Sequence, residues 1–186
     1  MKSLPDIKRT VVVGTTGSGK TTFGRQLAAL TSTPFIELDA VHWLPNWTPI
    51  EDEAFRQDIA QRIVAESWII DGNYSLVRDM IWKRATTIIW LDYPLPLVLW
   101  RLFWRTLIRT LTQKRLFNDN REPFWGAFFG RDSLFRWAIK THRSRRQRYG
   151  AHFYNNDFAN ATPIVFHKPA HATAFLEFVR QVHQRD

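Results

Sequence analysis

The chain of 186 residues contains no cysteine, which excludes disulfides and thiolate metal sites. It also lacks an apolar run of signal-peptide length at its start, where MKSLPDIKRT is charged and polar. Both absences suit a reducing compartment, and a cytoplasmic protein is expected. Long hydrophobic runs are missing too. The nearest approach to a membrane span is Leu95–Leu111, and its length and three arginines argue against one, so no transmembrane span is expected. Acidic residues are scarce in one region. Between Tyr93 and Gly150 only Asp119, Glu122 and Asp132 stand against 13 Lys and Arg, so this segment carries +10 of a formal total of +9 and the rest sums to −1. Such a regional excess points to a polyanionic ligand, whether a triphosphate, a nucleic acid or a membrane surface, although a solvated basic face would look the same. Of nine tryptophans, Trp100, Trp104, Trp125 and Trp137 fall in this segment. No internal repeat or low-complexity tract is present.

What is present is ordinary for a globular α/β protein. Hydrophobic residues make up 45 %, enough for a sizeable core in one domain of this length. Short apolar runs at Thr10–Val13, Pro34–Leu38, Trp68–Ile70, Thr87–Leu91 and Ile164–Phe166 read as strands, most of them continuous enough to be buried on both faces. Helical periodicity fills Lys20–Leu30, Glu51–Glu66, Leu95–Leu111, Leu134–Tyr149 and Thr173–His183. The alternation predicts a five-stranded parallel sheet with helices on both faces. A single domain over 1–186 is expected, with a lid or insert at about 110–135, where the polar and aromatic stretch Thr112–Asp132 shows no period.

The first strand runs into Gly14-Thr15-Thr16-Gly17-Ser18-Gly19-Lys20-Thr21-Thr22, the Gly-x-x-x-x-Gly-Lys-Thr pattern of a phosphate-binding loop. Its glycines let successive N–H groups turn inward onto phosphate oxygens, and the following helix adds its positive end. Lys20 would reach the terminal phosphates, and the Thr21 hydroxyl would ligate Mg²⁺. ATP and Mg²⁺ are therefore the expected cofactors.

In an open parallel sheet ligands gather at the carboxyl ends of the strands, and acids stand at three of them. Glu37 and Asp39 close the second strand, Asp71 the third and Asp92 the fourth. Asp71, before Gly72, suits the Mg²⁺ side, and Asp39 suits a role beside a phosphoryl acceptor. Glu37 and Asp39 would share one strand face if the strand reaches that far. Each lone carboxylate would equally serve as a helix cap or turn residue. His42 and Trp43, just beyond Asp39, would shape an acceptor pocket or pack at the strand end. Arg101, Arg105 and Arg109 recur at steps of four on an otherwise apolar helix, a stripe suited to a phosphate-filled cleft or to solvent. In the second cluster, Arg143, Arg145, Arg146 and Arg148, one or two would close over a transferring phosphoryl group.

With the loop, LDAVHW, IIDGNY and the Leu-x-x-Arg helix in view, the sequence resembles the adenylate-kinase-like P-loop proteins often labelled DNA topology modulation proteins, within the fold of nucleoside monophosphate and shikimate kinases. The resemblance covers Val11 to about Thr110 and, more loosely, the last strand. It implies that Gly14 to Thr22 bind ATP phosphates and Mg²⁺. It likens Asp71-Gly72 to the start of the Asp-Gly-aromatic-Pro-Arg motif of adenylate kinase; here Asn73 and Tyr74 follow, and the nearest Arg is Arg78, a departure from the AMP-binding pattern. Asn73 and Arg78 become candidates for acceptor binding. Asp39 corresponds to the second of two acids that, in shikimate-kinase-like enzymes, contacts the acceptor hydroxyl. Arg105 would lie over adenine, with His167-Lys168-Pro169 on the base's other side, and Arg109 would belong to the lid. The implied activity is phosphoryl transfer from ATP, with Lys20, Asp39, Arg105 and Arg109 as catalytic residues. The nucleic-acid-associated ATPase and the membrane-binding protein remain alternatives suggested by the Trp/Arg-rich half.

Overall fold

The computed structural model describes residues 5–113, 115–120, 133–155, 158 and 160–184. Five strands form one parallel sheet: β1 (Arg9–Gly14), β2 (Phe35–Glu37), β5 (Trp68–Asp71), β6 (Thr87–Leu91) and β7 (Thr162–Phe166), in the order β2-β5-β1-β6-β7. A two-stranded antiparallel hairpin, β3 (Trp43–Leu44) and β4 (Thr48–Pro49), stands apart from it.

Alternation along the strands feeds two cores. Val11, Val13, Ile70, Ile88 and Trp90 point to one face, where α3 (Asp52–Arg62), α4 (Ser75–Arg84) and α6 (Leu134–Asn155) supply Phe55, Ile59, Val77, Ile81 and Tyr149. Val12, Ile69, Ile89 and Leu91 point to the other, covered by Phe23 and Leu27 of α1 (Lys20–Thr31), Val98 of α5 (Leu95–Leu111) and Leu176 and Val179 of α7 (Pro169–His183). The five strands and the sandwich of helices are as the sequence predicts.

Three features differ from expectation. The second strand ends at Glu37, and Leu38–His42 turns into a short helix, α2, so Glu37 and Asp39 do not share a strand face. Helix α4 had no counterpart in the sequence reading, because only Val77 and Ile81 of its ten residues are buried and its period is short. The hairpin after His42 was likewise unforeseen. Leu116–Asn120 leads from α5 back to that hairpin: Asn118 Nδ2 donates to Trp43 O at 2.5 Å, Asn120 Nδ2 to Leu44 O at 2.9 Å, and Trp47 N to Asn120 Oδ1 at 2.9 Å. The remainder of the expected lid, 121–132, with Trp125, lies outside the described residues.

Candidate functional site

β1 ends at the sheet's centre, and the chain turns there through Thr15–Gly19 into α1. Ser18 N donates to Thr15 O at 3.0 Å, closing the loop on itself. Gly17 takes φ +85°, and a Cβ there would sit 2.8 Å from Val98 O, so only glycine fits between loop and α5. The Lys20 ammonium folds back over the loop, 3.4 Å from Thr15 O. Burial lowers its pKa, while Asp71 and Asp39 oppose that shift by favouring the charged form.

Asp71 ends β5, paired in register with Val12 on one side and Glu37 on the other. It is 1 % exposed, and its Oδ2 is buried without a hydrogen-bond partner. Burial lifts its pKa to about 6, against the opposing pull of Lys20 and the Thr21 hydroxyl. A buried carboxylate oxygen lacking a partner, beside the Thr21 hydroxyl and the Lys20 ammonium, fits Mg²⁺, which commonly takes one or two carboxylates plus phosphates and waters. Among the described residues no cluster of three His, Cys, Asp or Glu offers a metal cage of its own.

Asn73 reaches the loop from below. Its Oδ1 accepts from Gly14 N at 3.2 Å, its Nδ2 donates to Gly14 O at 2.6 Å, and Tyr149 OH donates to the same Oδ1 at 3.0 Å. The amide thus buttresses the loop rather than standing in the open cleft. Arg78, also expected on the acceptor side, stacks over Trp82 at 5.3 Å and Tyr149 at 5.9 Å, outside the lining of the main cleft.

The cleft holds about 700 Å³ and runs along the loop. Thr16–Thr22, Glu37, Asp39, Arg101, Arg105 and Arg109 line it, together with Tyr93, Arg115–Phe117, Pro169, Ala172 and Leu176. The arginine stripe of α5 therefore turns into the cleft. Arg101 is tied to the loop, donating to Ser18 O at 3.1 Å and lying 5.3 Å from the Tyr93 ring centre. Lys168 is exposed at the cap of α7, and it is the next residue, Pro169, that reaches the wall.

Asp39 takes a hydrogen bond from Tyr74 OH at 2.7 Å. Burial and the neighbouring carboxylate push the Tyr74 pKa up, so the phenol stays protonated and donates. Glu37 is paired with Arg25 at 2.6 Å. His42 is not part of the cleft wall: its ring packs against Tyr74, Trp43 and Phe55 at 4.7, 4.8 and 5.2 Å, and burial lowers its pKa. Trp43 carries the hairpin, its ring 5.8 Å from Trp47. Both residues thus sit behind Asp39 as packing.

Helix α6 brings His142 and Tyr149, which sequence reasoning did not single out, together with Arg146 of the second arginine cluster. His142 Nδ1 lies 3.1 Å from Thr15 Oγ1, Arg146 Nε donates to Asp92 at 3.1 Å, and Tyr149 supports Asn73. His167 Nδ1 meets the same Asp92 oxygen at 3.1 Å, so Asp92 clamps α6 to the end of β7. Arg145 is partly buried close enough to Lys20 and Asp39 for its charge to bear on both, and burial lowers its own pKa. Of the four arginines in that cluster it is the one turned towards the loop. The available signal was the arginine run itself; which member faces inward depends on helix phase against the sheet.

No family model matches the chain, and no curated protein does. Solved structures do. A gluconokinase from Sinorhizobium meliloti 1021 superposes with a TM-score of 0.53 at 16 % identity, over 98 % of this chain and 94 % of that one. A shikimate kinase from Acinetobacter baumannii in complex with shikimate gives 0.56 at 14 %, over 98 % and 96 %. A shikimate kinase from Bacteroides thetaiotaomicron gives 0.53 at 15 %, over 95 % and 98 %. The chain has the fold of the P-loop kinases. None of these three structures carries the topology-modulation label that the resemblance suggested, and nothing in the fold supports it. Among the described residues no helix is long and apolar enough to cross a membrane.

Proposed function

We propose that the protein is an ATP-dependent kinase that transfers a γ-phosphoryl group to a hydroxyl of a small-molecule or nucleotide acceptor. The observation that carries this reading is one continuous cleft of about 700 Å³ whose wall includes the phosphate loop, Asp39 and the arginines of α5. A bare ATPase would need the loop but not a tyrosine-held carboxylate across from it.

In this reading the N–H groups of Gly14–Thr22 and the Lys20 ammonium hold the phosphates. Thr21 and Asp71 would hold Mg²⁺, which supplies charge neutralisation on the phosphate oxygens when bound. Arg105 and Arg109 balance charge developing on the transferring group, with Arg105 and the Lys168 loop bordering the base. Asp39 orients the acceptor hydroxyl and takes its proton as the new O–P bond forms and the bond to the nucleoside diphosphate breaks. Tyr74 fixes the Asp39 carboxylate from behind, and His42 and Phe55 pack against Tyr74, with Trp43 against His42.

The test is a phosphotransfer screen with γ-labelled ATP over nucleosides, nucleotides, sugars and other small alcohols. Label is expected on at least one acceptor and none with Lys20→Ala. ATP turnover that no acceptor stimulates would reduce the protein to an ATPase.

A further inference from the structure

Helix α5 has two hydrophobic faces, and only one is buried. Val98, Leu102, Thr106 and Thr110 pack inward, while Arg101, Arg105 and Arg109 line the cleft. On the remaining arc Trp100, Trp104, Ile108 and Leu111 are 61 %, 44 %, 55 % and 71 % exposed. Their spacing of four, four and three residues sets them on one side of the helix. Helix α6 packs against α5 and adds Ile139, 51 % exposed. Its Arg136, Lys140 and Arg143 are also exposed, on the side of the helix away from His142 and Tyr149, which face the loop. Neither helix contains an aspartate or glutamate. Large apolar side chains left on the surface at helical spacing mark an interaction surface more often than a fold requirement.

We propose that the outer face of α5 and α6 docks on an anionic lipid surface. Tryptophan, isoleucine and leucine enter the boundary between headgroups and acyl chains, while arginine and lysine meet lipid phosphates and carboxylates. A second copy of the chain is a poorer occupant, because self-association would bring two acid-free cationic helix pairs together. A nucleic acid is poorer as well. Trp100 and Trp104 stand edge to face at 5.5 Å and 78°, which gives no run of parallel platforms for successive bases, and Ile108 and Leu111 have no ring to stack. The proposal does not depend on phosphoryl transfer.

The full chain is sedimented with phosphatidylcholine vesicles and with vesicles that also contain phosphatidylserine. Binding is expected to the anionic vesicles, weakening as salt is raised. Trp100→Ser combined with Trp104→Ser should lower the partition coefficient at least about tenfold. Ile108→Ser, which leaves every tryptophan in place, should lower it by a smaller factor in the same direction. Arg136→Gln and Lys140→Gln should each weaken it about fivefold. Melting curves identify any variant that fails to fold, and the charge variants then decide alone. Equal binding to neutral vesicles, or none to anionic ones, overturns the proposal. Concentration-dependent dimerisation abolished by the tryptophan variants, without vesicle binding, assigns the face to a second copy. Salt-dependent capture of single-stranded oligonucleotides without vesicle binding assigns it to nucleic acid.

Discussion

On one side of the cleft, the phosphate loop is contiguous in sequence and held by its own backbone: Ser18 N on Thr15 O, Lys20 over Thr15 O, and glycines where no side chain fits. On the other, Asp39 depends on a phenol 35 residues away, and the hairpin behind it on asparagines about twice that distance along the chain, 75 residues for Asn118 to Trp43 and 76 for Asn120 to Leu44. A contiguous motif carries its geometry wherever a strand meets a helix. An assembled wall exists only once the fold has closed.

If that contrast is right, the largest loss comes from the local element. Lys20→Ala should reduce ATP turnover by at least about a thousandfold with an unchanged circular-dichroism spectrum, since in the proposed reading it removes the cation that holds the phosphates. Undiminished turnover would sink the loop assignment. Asp39→Asn, on the assembled side, should cut acceptor phosphorylation by about a hundredfold while ATP affinity, measured by calorimetry, holds. Equal losses in both would move Asp39 to the metal side.

A third measurement probes where the two sides meet. The folded pKa of Asp71, about 6, lies above its ordinary value, so its contribution to stability is full at low pH, below the unfolded pKa near 4, and is lost as pH rises through the folded one. Asp71→Asn should therefore gain on the wild type as pH rises, by about 2 kcal/mol from about pH 4 to about pH 7 in the nucleotide-free protein, read from urea midpoints. A gap independent of pH would mean that Asp71 is already compensated. The smallest effects concern the buttress. Asn73→Ala should cost about 1–2 kcal/mol by leaving Gly14 N–H and C=O short of partners, and Tyr149→Phe about 0.5–1.5 kcal/mol. Should Tyr149→Phe destabilise more than Asn73→Ala, the phenol would have a role beyond holding that amide.

Much of the fold was legible because strands buried on both faces read as unbroken apolar runs, and those at Val11–Val13 and Ile88–Leu91 leave little choice. Helix α4 was missed for the opposite reason: it buries few residues and is anchored by its neighbours. Asp71 at the strand end was readable from Ile69 and Ile70 before it, whereas the roles of Asn73 and Arg78 were not. A side chain's type does not say whether it turns to a cleft or to the backbone behind it. The arginine stripe of α5 was visible as a period of four, but a period has no direction, and packing of Val98 in the core and of Val98 and Leu102 against Gly17 decided that the stripe faces the loop.

Sequence alone thus determined the phosphate loop, the parallel sheet and the set of acids at its carboxyl edge, because each rests on local geometry or on a repeat that the chain itself displays. Tertiary structure decided which of those acids is paired, with Asp92 clamped by Arg146 and His167 and Asp71 Oδ2 left without a hydrogen-bond partner. It also decided that Tyr74 holds Asp39 and that the outer arc of α5 stays uncovered. These outcomes depend on how distant segments are oriented as they pack, and no single window of sequence contains that information.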